Sequence, residues 1–259
     1  MSRMTIALSA LLLLSGVAMA ENTNHWPGLQ GRTYQELAQM PDWSGTFALD
    51  PVSFAAGRQA ATNPRTDLPN SAPLNATFEA KRLANGAARG GQGPITGVIN
   101  NSARCIPNGM PDVMQAPYGF QFLLSPGQVT IIPDNNQVRI VYTDGRGHPS
   151  GDDLVPTFAG DSIGHWEGDT LVVDTIGIVP QAEIFMGLRE TANSHVIERM
   201  RRVDKLHFRI DTTLINPDML TKPWHYTRTY LLTPAGHSEY YCEQDNRDSN
   251  GVVDLTPPP

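Results

Sequence analysis

The residues of this chain that could carry chemistry are concentrated in one stretch, from Tyr142 to Ile178. It reads Y-T-D-G-R-G-H-P, then a loop, then G-D-S-I-G-H-W-E-G-D-T-L-V-V-D-T-I-G-I. Imidazole exchanges protons near neutral pH, a neighbouring carboxylate can fix its tautomer, and a guanidinium can hold a carboxylate or an oxyanion. The stretch therefore indicates acid/base chemistry, with the polar residues Asp144, Arg146, His148, Asp161, His165, Glu167, Asp169 and Asp174.

Two histidines are the leading candidates for moving protons, His148 and His165. Asp144 and Asp161 would orient them, and Tyr142 is a candidate proton donor. Each of these side chains also has a structural explanation, as a surface histidine or as a half-buried tyrosine with a satisfied hydroxyl. The candidate substrate-binding residues are Arg146, Trp166, Arg199, Arg201 and Tyr241.

Other chemistries have weaker support in the sequence. His148, His165 and Asp161 are metal-ligand types, but no His-Glu-x-x-His motif and no close Cys/His cluster occurs, so we predict no metal. A Gly-x-Ser-x-Gly elbow is missing, which disfavours a serine-triad hydrolase. The glycine-rich loop at 87–94 has no Lys-Ser/Thr pair and no following helix, so it is not a phosphate cradle, and we predict no cofactor.

The elements that must position these residues are short strands separated by turns. From Phe120 onward apolar residues recur with period two, and hairpin turns fall near residues 126, 135, 168, 204 and 235. This pattern predicts an all-β fold, an antiparallel up-and-down (lipocalin-like) barrel of about eight to ten strands around a cavity for one small ligand. A first strand over 42–49 and helices near 33–39 and 74–88, the latter capped by Asn75, belong to an irregular N-terminal extension.

Strand alternation gives the hairpin at 196–215 one markedly polar face. On its first strand His195, Ile197, Arg199 and Arg201 share a side, and the other side carries Glu198, Met200 and Arg202. The polar face is either a solvated outer wall with cross-strand ion pairs or the lining of the barrel lumen. The lumen is the functional interpretation, because arginines inside a barrel require an anionic partner.

The ends of the chain and its bulk charge indicate the compartment. Residues 1–20 resemble a secretory signal peptide, with an apolar core and an A-x-A site ending at Ala20, although an uncleaved anchor is the alternative. We predict a periplasmic or secreted protein without a membrane anchor, comprising an extension at 21–104, a barrel at 105–250 and a disordered tail at 251–259. The formal charge of −7 argues against nucleic-acid binding. Cys105 and Cys242 are expected to form a disulfide, with free thiols as the alternative.

Five strings form a recognisable pattern: Y-T-D-G-R-x-H-P, G-x-S-I-G-x-W-E-G-D-T-L-V-V-D-T, E-R-x-R-R-x-D, K-P-W and E-Y-x-C. The pattern covers roughly 105–246 and resembles an uncharacterised family of exported bacterial proteins. Two departures, Asp161 where the family often has His and 189–192 in place of a P-H-S-E-like segment, imply a different substrate or acid/base arrangement. The resemblance implies that these residues matter: Tyr142, Asp144, Arg146, His148, Trp166, Glu167, Asp169, Asp174, Glu198, Arg199, Trp224, Tyr240 and Cys242.

The sequence as a whole favours an exported enzyme with a barrel cavity. We expect cofactor-free acid/base chemistry, such as elimination, dehydration or isomerisation, on a small polar or acidic organic substrate. A lyase or isomerase is favoured over a hydrolase. The alternatives are a non-catalytic small-ligand-binding barrel, a metal-assisted hydrolase and an envelope interaction protein.

Overall fold

The fold is taken from a computed structural model that describes residues 31–52, 72–90, 101, 105–114, 119–134, 137–185, 188–234 and 236. Several predicted features lie outside these residues. They are the signal peptide at 1–20, the loop from residue 91, the strand at 238–243, Tyr240, Tyr241, Cys242 and the tail at 251–259.

Eleven strands form the described sheets. They are β1 (Thr46–Leu49), β2 (Phe120–Ser125), β3 (Gln128–Pro133), β4 (Arg139–Tyr142), β5 (Asp161–Glu167), β6 (Thr170–Ile176), β7 (Glu183–Phe185), β8 (Leu188–Arg189), β9 (His195–Arg202), β10 (His207–Ile215) and β11 (Trp224–Thr233). Nine of them close a barrel in the order β1-β11-β10-β9-β6-β5-β4-β3-β2. The remaining two, β7 and β8, form a separate two-stranded sheet.

The barrel confirms the predicted all-β architecture and strand number, but its strands are not all antiparallel. Neighbours in the barrel are consecutive in the chain, except that β6 is next to β9 and that β11 pairs with β1. Strands β4 and β5 run parallel, with Tyr142 opposite Ile163. Strand directions cannot alternate completely around a closed ring of nine, so at least one parallel pair is required. The loop at 143–160, which carries His148, is the connection between these two parallel strands.

Turn residues fix the hairpins where the sequence predicts them. In the β2–β3 turn Pro126 precedes Gly127, whose φ of +74° suits a Pro-Gly turn. A Cβ at Gly127 would lie 3.1 Å from the Cβ of Asp144. Glycine therefore lets this turn approach the first residues of the 143–160 loop, and the Thr143 amide donates to the Gly127 carbonyl at 2.8 Å.

The two predicted helices are both present. Helix α1 (Tyr34–Leu37) begins after Thr33, which forms a reciprocal capping box with Glu36. Helix α2 (Ala76–Gly90) begins after Asn75, whose Oδ1 accepts from the Phe78 amide at 3.1 Å. Short 3-10 turns occur at Asp112–Met114 and Gly151–Asp153. Among the described residues, no helix has the length and apolar character needed to cross a membrane.

Inward-facing side chains pack against one another across the barrel. Phe208 of β10 contacts Phe122 of β2 at a ring-centroid distance of 4.6 Å and Trp43 at 4.8 Å, and Phe120 meets Tyr230 at 4.7 Å. Burying an aromatic or large aliphatic side chain contributes about 1.5–3 kcal/mol each, so this aromatic cluster stabilises the closed barrel.

The inner wall also holds a buried ion pair. Nη2 of Arg139 on β4 lies 2.6 Å from Oε2 of Glu198 on β9, and both side chains are almost fully shielded from solvent. Arg139 also donates to Thr175 at 2.8 Å and to Ser162 at 3.2 Å. These contacts join four strands, β4, β5, β6 and β9, and they supply the anionic partner that an arginine inside a barrel requires.

Candidate functional site

The clearest cluster of titratable side chains lies on the outer wall of the barrel and is centred on His148. Nδ1 of His148 lies 2.6 Å from Oδ1 of Asp161, and Nε2 lies 3.1 Å from Oδ1 of Asp174. The same oxygen of Asp174 lies 2.7 Å from Nε2 of His195. We call His148, Asp161, Asp174 and His195 the outer-wall cluster.

Strand register brings these four side chains together. Asp161 and Asp174 belong to the β5–β6 hairpin, in which Asp161 is opposite Ile176 and Asp174 is opposite Ile163. Their neighbours Ser162, Val173 and Thr175 are buried, so the two carboxylates face outward. His195 begins β9, which pairs with β6. His148 reaches the same surface from the 143–160 loop.

The outer-wall cluster is partly shielded but remains open to solvent. The side chain of His148 is 17% exposed, that of Asp161 22%, that of His195 34% and that of Asp174 40%. A group at this depth is held in one orientation and can still exchange protons with a small molecule. Both properties are needed in a general acid or base.

The number of protons limits which hydrogen bonds this cluster can form. A neutral imidazole has one N–H and an ionised carboxylate only accepts. His148 can therefore donate to both Asp161 and Asp174 only as an imidazolium. If His148 is neutral, both contacts are hydrogen bonds only when one carboxyl is protonated and donates to the imidazole. When His148 is neutral, the carboxylate of Asp161 holds the proton on Nδ1 and leaves the lone pair on Nε2. The cluster can thus gain and lose a proton with little movement of its atoms.

Three other residues predicted from the sequence form a group at the start of the 143–160 loop, Tyr142, Asp144 and Arg146. Asp144 accepts from Nε of Arg146 at 2.9 Å, and the guanidinium of Arg146 lies 3.8 Å from the centroid of the Tyr142 ring. The hydrogen bonds from Arg146 lower the pKa of Asp144. The hydrogen bond to Asp144 raises the pKa of Arg146, and the nearby Asp161 carboxylate contributes to the same effect. Asp144 therefore neutralises Arg146 and does not contact His148 through any described hydrogen bond.

His165 lies on the outer face of β5 and belongs to a different group. Its side chain is 67% exposed, and its Nε2 lies 3.3 Å from Oε1 of Glu167. Arg199 donates to the other oxygen of Glu167 at 2.7 Å. The hydrogen bond from Arg199 is the main cause that lowers the pKa of Glu167. These side chains form an exposed ion-pair group, so the structure does not bring the two predicted proton carriers, His148 and His165, into one hydrogen-bonded cluster.

Of the two interpretations of the polar face at 196–215, a solvated outer wall and a polar lumen, the structure has the outer wall for the face that carries Arg199 and Arg201. Both arginines are exposed on the outer wall, whereas Glu198 and Met200 face the interior. Trp166 does point inward, but it packs edge-on against Trp43 at 5.2 Å within the core. Asp169 lies exposed in the β5–β6 turn. Tyr241, another predicted substrate-binding residue, lies outside the described residues.

Two members of the outer-wall cluster were not among the predicted catalytic residues, Asp174 and His195. Alternation places Asp174 on the side of its strand opposite to Val173, and His195 on the same side as Ile197. What the sequence does not indicate is that β6 pairs with β9, because the intervening strands β7 and β8 leave the barrel. If the pairing of β6 with β9 were known, alternation would place Asp174 and His195 on the same outer surface.

A second polar group is formed by Glu190 and Ser194, which precede His195 in the sequence, together with Asn216. The buried carboxyl of Glu190 accepts from the Ser194 hydroxyl and, at 3.2 Å, from Nδ2 of Asn216. Burial raises the pKa of Glu190 to about 7, and the two hydrogen bonds oppose this shift only in part. The group joins the segment before β9 to the residue that follows β10.

The sequence also bears on metal binding and on a disulfide. Within the described parts of the chain, no group of three or more His, Cys, Asp or Glu side chains is arranged to hold a metal ion. Cys105 is not a free thiol. Its pairing with Cys242 stays a prediction, because Cys242 lies outside the described residues.

Comparisons with known proteins add no assignment. No family model, no curated protein and no solved structure matches the chain. The functional interpretation of this chain therefore depends on the geometry of its own side chains.

Proposed function

We propose that the outer-wall cluster is the proton-transfer site of an exported enzyme that acts on a small polar or acidic organic substrate. The reaction class is cofactor-free elimination, dehydration or isomerisation. The observation that carries the proposal is the position of His148 between two carboxylates, at 2.6 Å from Asp161 and 3.1 Å from Asp174. The carboxylate of Asp161 fixes the proton of neutral His148 on Nδ1, so that Nε2, on the side of Asp174, carries the lone pair that a general base needs.

An isomerisation by proton exchange illustrates how the cluster would work. Neutral His148 accepts through Nε2 the proton from the carbon next to the substrate carboxylate, and the electron pair left behind is delocalised onto that carboxylate. The imidazolium of His195 then gives a proton back to the same carbon, and the hydroxyl of the substrate is kept. His148 has gained one proton and His195 has lost one. Asp174 lies between the two Nε2 atoms, so it can pass the proton back and restore the starting state.

Asp161 has a positioning role in this scheme. Its carboxylate accepts from Nδ1 of His148 and favours the tautomer whose Nε2 is unprotonated. It also stabilises the imidazolium that forms when His148 accepts a proton. The Asp144–Arg146 pair lies at the start of the same loop and supports its conformation.

The proposal is tested by substituting the two predicted histidines separately. The purified protein is incubated in D2O with a panel of small hydroxy acids and unsaturated acids, and product formation and deuterium uptake are followed by 1H NMR. We expect His148→Asn to lower kcat by about 100-fold or more, the usual contribution of general acid–base catalysis. The matched control His165→Asn should retain the wild-type rate, because His165 belongs to the exposed Glu167 group.

The same experiment separates the alternatives. Equal turnover by His148→Asn and the wild type would contradict the proposal. Saturable binding without product would indicate a ligand-binding barrel. Turnover that appears only after addition of a divalent metal ion would indicate a metal-assisted hydrolase.

A further inference from the structure

A shallow pocket of about 300 Å³ opens on the barrel where β9, β10 and β11 adjoin. Its outward-facing side chains form two rows across these strands. The strand register aligns Ile197 with Thr213 and His225 in the first row, and Arg199 with Asp211 and Thr227 in the second. We call this the β9–β11 pocket.

The pocket lies beside the outer-wall cluster. Ile197 is the direct partner of Asp174 across the β6–β9 pair, and it is also the partner of Thr213 on β10. Adjacent strands are about 4.8 Å apart, so the pocket begins one strand away from the carboxylate that the two histidines share. A short molecule lying in the pocket can reach the cluster without any change in the fold.

We propose that the β9–β11 pocket binds the substrate of the outer-wall cluster and that this substrate is a small hydroxy acid. The inference rests on the proposed function and assigns its substrate class. The substrate carboxylate binds Arg199, its hydroxyl faces Thr213 and His225, and its carbon chain lies over Ile197.

The pocket contains one cation that a substrate carboxylate can reach. Arg199 lines the pocket together with Asp211, and its Nη2 lies 2.7 Å from Oε2 of Glu167. A ligand carboxylate therefore competes with these two protein carboxylates for Arg199.

The two carboxylates differ in how firmly they are held. Asp211 accepts from Arg209 at 2.7 Å and from Thr227 at 2.6 Å, and these hydrogen bonds lower its pKa despite its partial burial. Arg199 and Glu167 form an exposed pair, with their side chains 48% and 49% exposed. An exposed ion pair contributes little free energy, so a ligand carboxylate can replace Glu167 at Arg199.

The first row supplies hydrogen-bonding groups for a hydroxyl. The Thr213 hydroxyl and Nδ1 of His225 lie 2.8 Å apart, which occupies one ring nitrogen. The other ring nitrogen, Nε2, has no hydrogen-bond partner among the residues that the structure describes. The imidazole of His225 is at the opposite end of the first row from Ile197. A ligand hydroxyl can therefore bind this row, its carbon chain can lie over Ile197, and its carboxylate can bind Arg199 in the second row.

The inference is tested by calorimetric titration of the full chain with malate, and with succinate as the analogue that lacks the hydroxyl. We expect saturable malate binding that Arg199→Gln weakens about tenfold or more, because a charge-assisted hydrogen bond is lost. The matched control Arg189→Gln removes an exposed arginine on β8, outside the pocket, and should leave the dissociation constant unchanged. Thr213→Val should reduce malate binding to the level of succinate.

Three results would overturn the inference. They are no saturable binding of malate, equal binding by wild type and Arg199→Gln, and equal weakening by the two arginine variants. The proposed function fails separately. If His148→Asn binds malate normally and the wild type turns over no acid, the pocket stands and the catalytic role does not. If His148→Asn loses turnover and Arg199→Gln keeps the wild-type KM, the catalytic role stands and the pocket assignment does not.

Discussion

His148 shows how the type of a residue and its position contribute differently to a site. The sequence identifies it as an acid/base candidate from its type and from the aspartates near it. Its actual partners are Asp161, within the same stretch, and Asp174, which lies 26 residues further along the chain. The pair with Asp161 follows the expected role, whereas Asp144, the other predicted orienting residue, is occupied by Arg146.

Glu190 offers a prediction about stability that depends on a single carboxyl group. Burial raises its pKa from an ordinary value of 4.5 to about 7. A raised pKa means that the folded state binds more protons than the unfolded state between these values, so the free energy of unfolding falls as pH rises. Over this interval we expect a loss of about 3 kcal/mol, from about 1.4 kcal/mol for each pH unit.

Urea unfolding at pH values from below 4.5 to above 7 measures this loss, with Glu190→Gln as the test variant. We expect the substitution to remove most of the decline, because glutamine stays neutral across the range. Glu167→Gln is the control, since the pKa of Glu167 is lowered by its bond to Arg199 and its titration falls below the interval. A Glu190→Gln protein with the wild-type decline would refute the assignment.

At the scale of the elements, turn chemistry explains why the strands could be predicted. Pro126-Gly127, Gly168-Asp169 and Asp204-Lys205 each separate two runs of period-two residues, and each is a turn in the structure. They lie at the positions near 126, 168 and 204 that the sequence predicts. The signal is local, because a tight turn needs particular residues regardless of the rest of the fold.

The direction in which each face points could not be predicted from its polarity. On β9 the outward face carries Arg199 and Arg201, and the inward face carries Glu198 and Arg202. Each face therefore has two charged residues, and alternation alone does not show which one is inside. The inner charge of Glu198 is tolerated because Arg139, from a distant part of the sequence, pairs with it.

The Arg139–Glu198 pair is expected to behave as one unit. Arg139→Met should lower the free energy of unfolding by about 3–5 kcal/mol, because it leaves the Glu198 carboxylate buried without a cation. The double variant Arg139→Met with Glu198→Leu should recover most of that loss. Urea unfolding provides the measurement, and the exposed pair Arg199–Glu167 is the control, whose removal should change the free energy of unfolding far less. Equal losses in the single and double variants would contradict this view.

At the scale of the whole molecule, the barrel serves as a scaffold whose wall carries the candidate site. The sequence predicts a ring of strands around a ligand cavity, but the predicted polar residues lie on the outside. The aromatic side chains of β1, β2, β10 and β11 pack together within the barrel. The sequence does not show which surface carries them, because the closure of a barrel depends on long-range pairing, which no local pattern records.

The closed ring of nine strands also explains the position of His148. One pair of strands must be parallel, and in this chain it is β4 and β5. A parallel pair needs a longer connection than a hairpin, and the loop at 143–160 supplies it. His148 belongs to this connection, so its contacts with Asp161 and Asp174 also fasten the loop to the barrel wall.

The central claim is that His148, Asp161, Asp174 and His195 form one proton-sharing unit. It is tested most directly by imidazole 15N chemical shifts of the wild type, Asp174→Asn and Asp161→Asn. We expect Asp174→Asn to shift the signals of both His148 and His195, because the two Nε2 atoms share one oxygen. Asp161→Asn should shift those of His148, and His165 should be unaffected in either variant. Unchanged signals of His148 and His195 in Asp174→Asn would show that the unit does not exist.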